Sequence, residues 1–143
     1  LAPAPTPPAA GPAPDPAPAA SARTEVALDA LRARCGDDAL AADVLAIFET
    51  RAPTELARVE DAHARGDAAL LRLASHTIKG AAATAGLQAL SDLGAALQAC
   101  AEEGRLADAG ALLPDLRRAM HEGVQAARRA REALAGPTRR AAA

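Results

Sequence analysis

Residues 67–104 read DAALLRLASHTIKGAAATAGLQALSDLGAALQACAEEG. Two amphipathic helices follow one another in this stretch. The second is the cleaner: Leu87, Leu90, Leu93, Leu97 and Cys100 recur every three or four residues, the spacing of one helix face, and the stretch closes near Gly104. The first opens on Asp67, a suitable N-cap, and closes on Gly86. On a wheel of about 100° per residue, Leu70, Ala74, Thr77, Ile78, Ala81 and Ala85 gather on one side, the expected core face. A joint this short makes the two helices antiparallel neighbours.

The pattern continues on both sides. Upstream, a helix is expected over 38–66, opening at Asp37 or Asp38 and carrying Leu40, Val44, Ile47 and Phe48, then Leu56 and Val59. Pro53 lies inside it and predicts a kink, with the apolar stripe shifting round the helix beyond it. A shorter helix should run from about Thr24, as N-cap, to Arg34, with Val26, Ala27, Ala30 and Leu31 on its apolar face and Gly36 as its stop. Downstream, a long helix is expected from near Asp108 to Leu134. Leu113, Leu116, Met120, Val124, Ala127 and Leu134 form its apolar face, and Pro114 follows a separate opening turn as the first residue of the long segment. The expected fold is all-α: an up-and-down four-helix bundle with an accessory N-terminal helix.

Composition supports this. The hydrophobic half of the 143 residues is mostly 44 Ala and 18 Leu, with four Val, two Ile, one Phe, no Tyr and no Trp, which disfavours sheet and suits close-packed helices. A net charge of −2 argues against a nucleic-acid binder. No apolar run nears the roughly 20 residues that cross a bilayer, so no direct membrane contact is expected. Residues 1–22 hold eight prolines among alanines and read as a Pro/Ala-rich disordered linker. The bundle should occupy 23–135, and residues 136–143, opening on Gly136-Pro137, should form a flexible tail. The chain begins at Leu1 and lacks a signal-peptide core, and is expected to be a piece of a longer protein. Cys35 and Cys100 lie in no metal or redox spacing and are expected to be reduced thiols.

The chemistry concentrates in the helix that Asp67 opens. His76 lies about 150° from the centre of the expected core face and so points to solvent. Around it are the small residues Ala69, Gly80 and Ala83 and the basic residues Arg72 and Lys79. Glycine inside a helix costs about 1 kcal/mol relative to alanine, and close approach of a partner is a reason for Gly80 to be there. An imidazole nitrogen is a competent nucleophile near neutral pH, and Lys79, three residues on, can attract a phosphoryl group or an acidic pocket. A lone exposed histidine on a helix commonly does nothing. The conjunction of outward imidazole, lysine at three, glycine at four and small neighbours favours a function.

The run Ser75-His76-Thr77-Ile78-Lys79-Gly80, with Ala81-Ala82-Ala83-Thr84-Ala85-Gly86 after it, resembles the signature of histidine-containing phosphotransfer (HPt) domains. That signature is His, any residue, an aliphatic, Lys, Gly, a small residue and a further Gly. Gly66-Asp67, the Phe48–Pro53 region and Leu87-Gln88-Ala89-Leu90 extend the likeness over roughly residues 24–135. Ala85 departs from it, where the family more often has a larger aliphatic.

The resemblance implies a four-helix bundle with the active His76 midway along one helix. It implies that the Nε2 nitrogen takes a phosphoryl group from a receiver domain's aspartyl phosphate and yields it to a second receiver. Lys79 and Gly80 would assist, one by charge and one by leaving room, with Arg72, Ala69 and Ala83 in the docking face. It also implies no intrinsic cofactor: the receiver would supply the Mg²⁺, and the chain has no P-loop or other nucleotide loop. The expected setting is a cytoplasmic, monomeric domain tethered as the C-terminal module of a bacterial hybrid sensor histidine kinase.

Four alternatives compete. The dimerisation and phosphoacceptor domain of sensor kinases calls for an acidic residue after His and a proline a turn later; here Thr77 follows and no proline lies between His76 and Pro114. The phosphotransfer domain of a chemotaxis-type kinase shares the His-x-aliphatic-Lys-Gly core, but the Pro/Ala-rich leader and the C-terminal tail fit a hybrid kinase better. A non-catalytic helical adaptor would not need His76. A metal site would draw on His63, His76 and His121, which stand singly on separate helices, so none is expected.

Overall fold

The computed structural model of the chain describes residues 24–141 as five helices: α1 (Leu28–Cys35), α2 (Asp38–Ala64), α3 (Ala68–Thr84), α4 (Gln88–Glu102) and α5 (Leu106–Ala141). No strand occurs among the described residues. The expected linker 1–22 lies outside them.

One device makes the up-and-down order. At the ends of α2, α3 and α4 a glycine takes positive φ (Gly66 67°, Gly86 77°, Gly104 71°). The next amide then reaches back over the last turn: Asp67 N to Ala62 O at 3.0 Å, Leu87 N to Ala82 O at 2.8 Å, and Arg105 N to Cys100 O at 2.8 Å. This left-handed closure satisfies free carbonyls and reverses the chain within three residues. The next helix starts at once. Asp67 caps α3 by accepting from Leu70 N at 3.0 Å, as Asp37 caps α2 by accepting from Leu40 N at 2.7 Å.

The four long helices pack in a ring, each against its two neighbours, with α1 against α2. Leu45, Val59, Leu71, Ile78, Leu87, Leu90, Leu97 and Leu116 are fully buried at the centre. Gly123 of α5 leaves room there: a Cβ on it would lie 3.3 Å from Leu87 and 3.5 Å from both Leu90 and Phe48.

Several expectations change. The α2 helix runs unbroken past Pro53, and its buried stripe does not shift: Ala41, Leu45, Phe48, Ala52, Glu55, Val59 and Ala62 keep alternating steps of four and three. Leu40 and Ile47, assigned to the core face by size, are exposed, because alanines occupy the tight positions instead. Pro114 likewise lies within α5, which starts at Leu106 without a separate opening turn. Both prolines are on exposed positions, where solvent can take the carbonyl each one frees.

At the N-terminus, α1 begins at Leu28 rather than Thr24. Ala27 donates to Gly86 O at 2.8 Å, and the Thr24 hydroxyl goes to Glu122 at 2.8 Å instead of capping α1. Ala27 and Ala30 are exposed, and Leu31 alone of α1 is fully buried. At the other end Gly136 breaks α5 with φ 71°, but helical backbone resumes to Ala141, with Pro137 admissible in a first turn.

Candidate functional site

The α3 helix is held to α4 backbone against side chain. Gly94 faces Lys79 so closely that a Cβ on it would lie 2.8 Å from Lys79 N and 2.9 Å from its Cα. Ser91, one turn earlier and buried, donates to Lys79 O at 3.1 Å. Ser75, Ile78 and Ala82 are buried on α3. Ser75 is fully enclosed, its hydroxyl without a hydrogen-bond partner among the described residues. The inward face is therefore Leu71, Ala74, Ser75, Ile78, Ala82 and Ala85. It is rotated from the expected one: Leu70 is exposed, and Thr77 and Ala81 are half-buried. Ser75 and Ala82 are small enough to sit inside a tightly packed bundle, a cause that hydrophobicity alone does not register.

The rotation leaves His76 outside, midway along this helix of 17 residues. Arg72, Lys79, Gly80, Ala69 and Ala83 are all exposed beside it. A Cβ on Gly80 would meet nothing within 4 Å, so its only use for space is toward something outside the bundle. Leu73, one turn before His76, is 56% exposed and adds an apolar contact. Thr77 is tied back to Leu73 O at 3.1 Å. The result is a surface with low relief, one imidazole, two cations and an apolar rim.

The imidazole is not loose. His76 Nδ1 lies 3.2 Å from Gln98 Oε1 on α4. With the amide oxygen accepting, Nδ1 would carry the proton and the lone pair of Nε2 would be free for chemistry. The α4 residue that reaches His76 is one turn beyond Gly94, whose missing side chain brings the helices together. Gln98 and Leu73 were not singled out from the sequence. A glycine on the flank of the α4 stripe was the available signal, since it marks close helix approach and the next turn then meets the partner helix.

The residue 43–130 segment matches the Hpt domain family. The chain belongs to that family. No curated protein and no solved structure matches it. Membership gives the Hpt domain its role, histidine phosphotransfer in two-component signalling, with response-regulator receiver domains as partners. The match lies within the likeness seen over 24–135, and α1 stands outside it.

The remaining candidates lie elsewhere. His63 is half-buried at the end of α2, its Nε2 3.0 Å from Leu106 O and its ring against Gly110, so it ties α2 to α5. His121 is exposed on α5. Among the described residues no three His, Cys, Asp or Glu side chains gather to hold a metal. Cys35 and Cys100 are free thiols, the second buried. No helix among the described residues is long and apolar enough to cross a membrane. A cavity of about 660 Å³ between α2 and α5 is lined by no residue of α3, and a smaller one of about 230 Å³ between α2 and α3 is lined by Thr77, Ala81 and Thr84 but not by His76.

Proposed function

We propose that His76 is the phosphoacceptor of a multistep phosphorelay. The observation that carries this is the exposed imidazole whose Nδ1 is engaged by Gln98, leaving Nε2 as the nucleophile. The Nε2 lone pair attacks the phosphorus of a receiver's aspartyl phosphate. A P–N bond forms, the P–O bond to the aspartate breaks, and the carboxylate leaves with the electron pair. Attack places positive charge on the ring, and Nδ1–H then donates more strongly to Gln98. The reverse steps deliver the group to a second receiver.

The domain's own contribution is mostly position. Lys79 supplies a cation for the phosphoryl oxygens or the receiver's acidic pocket. Gly80, Ala69 and Ala83 let the receiver backbone come near, and Arg72 extends the docking face. The Hpt domain carries no cofactor of its own in this reading; the receiver brings Mg²⁺. The setting is a monomeric, cytoplasmic module tethered through its Pro/Ala-rich leader, at the C-terminal end of a hybrid sensor histidine kinase.

The test uses the purified chain, a phosphorylated receiver and Mg²⁺. Label that survives alkali and is lost in acid should appear on the chain and vanish in His76→Gln. That variant should melt as the wild type does, because the side chain is exposed. A folded chain that takes no label from a broad panel of receivers would sink this reading and leave a helical adaptor in its place.

A further inference from the structure

The hydrogen bonds at His76 extend one residue beyond Gln98. Gln98 Nε2 donates to Glu102 Oε1 at 3.0 Å, one turn further along α4. Glu102 is the last residue of that helix. An acidic side chain there meets the negative end of the helix dipole, so helix stability does not account for it.

An imidazole and a carboxamide are both two-sided. If the amide oxygen faces Nδ1, the ring proton sits on Nδ1. If the amide nitrogen faces it, Nδ1 must offer a lone pair and the proton moves to Nε2, which blocks the nucleophile. The His76–Gln98 pair alone makes one hydrogen bond in either arrangement and so does not choose. A carboxylate only accepts. Placed beside Gln98, it takes the NH₂ end and leaves the oxygen for His76; a flipped amide would set two acceptor oxygens against each other. We propose that Glu102 is a positioning residue that orients the Gln98 amide and thereby fixes the Nδ1–H tautomer of His76, leaving Nε2 free. This rests on the phosphoacceptor reading above.

The experiment reads the ¹⁵N shifts of the His76 ring in the full chain at alkaline pH. These shifts distinguish a protonated nitrogen from one with a lone pair. The wild type should be mainly Nδ1–H. In Glu102→Gln the new amide can donate or accept, the choice is lost, and the Nδ1–H to Nε2–H ratio should fall about fivefold, the ratio one net hydrogen bond is worth. Phosphoryl acceptance should fall with it. The exchanged pair Gln98→Glu with Glu102→Gln places the carboxylate against Nδ1–H and an amide donor behind it, and should restore the ratio.

An unchanged ratio in Glu102→Gln, or an exchanged pair that restores nothing, overturns the role of Glu102. A wild-type chain that takes no phosphoryl group overturns the phosphoacceptor reading instead. The tautomer ratio needs no receiver, and so tells the two failures apart.

Discussion

Two seams of the bundle are built by opposite means. Between α3 and α4 there is a glycine against backbone and a buried serine bonded to a main-chain carbonyl, at Lys79 in both cases. Between α2 and α5 long charged side chains reach across: Glu49 to Arg131 at 2.5 and 3.1 Å, Glu49 to Arg128 at 3.5 Å, and Glu60 to Arg117 at 3.2 Å. The first seam has no slack and the second has a cavity beside it. Short rigid contacts fix the angle and depth of a neighbour; flexible ion pairs fix its presence and leave its exact place free. His76, the proposed nucleophile, sits on the seam that fixes place.

The largest effect should come from Gly94→Leu. The added atoms meet Lys79 backbone, which cannot yield as a side-chain tip would, and the cost should be about 3 kcal/mol in urea unfolding. Because α4 must move off α3, Gln98 leaves His76, and phosphoryl acceptance should drop by about tenfold or more under conditions where the variant is folded. A variant with wild-type stability would show that the seam is looser than described.

Glu49→Ala should cost about 1 kcal/mol or less, since both arginines are more than 40% exposed and solvent screens them. The loss should shrink as salt is added, and phosphoryl acceptance should not change. Salt is the better probe of this seam than pH. The hydrogen-bonded carboxylate of Glu49 raises the Arg131 guanidinium above its ordinary range. Raised in the folded state, that group contributes fully below its unfolded, strongly basic value and loses its contribution only as pH rises through the still higher folded one, so the neutral range is flat.

The smallest change, and the one of opposite sign, is Gly80→Ala. Its methyl group meets nothing, so the helix should gain up to about 1 kcal/mol in thermal or urea unfolding. Gly80→Leu should keep the fold and weaken receiver binding in a titration. Unweakened binding would remove Gly80 from the docking face.

The same contrast explains what could be read from the sequence. The α4 stripe was plain because Leu90, Leu97 and Cys100 are large and buried. His76, Lys79 and Gly80 were legible because they are local to one helix. The inward face of α3 was misplaced by part of a turn because Ser75 and Ala82 enter the core for their size, in answer to a neighbour that periodicity does not see. Pro53 and Pro114 suggested interruptions that did not occur, since each is on the solvent side of a helix already held by its partners. Gln98 was invisible for a different reason: its meaning depends on how deep Gly94 lets α4 sit.

The segment before α1 has a mechanical sense. Thr24 is bonded to Glu122 and Arg129 on α5, each at 2.8 Å, Ala27 to the turn at Gly86, and Arg34 to the last carbonyls of α3 at Ala83 and Thr84. The Ala27 and Arg34 anchors lie at the far end of α3, about 12 Å along its axis from His76. A pull arriving at Thr24 is therefore spread over α5 and the α3–α4 turn before it reaches His76. They act as the clamp where a cable enters a plug: the strain stops at the clamp, and the contact stays still.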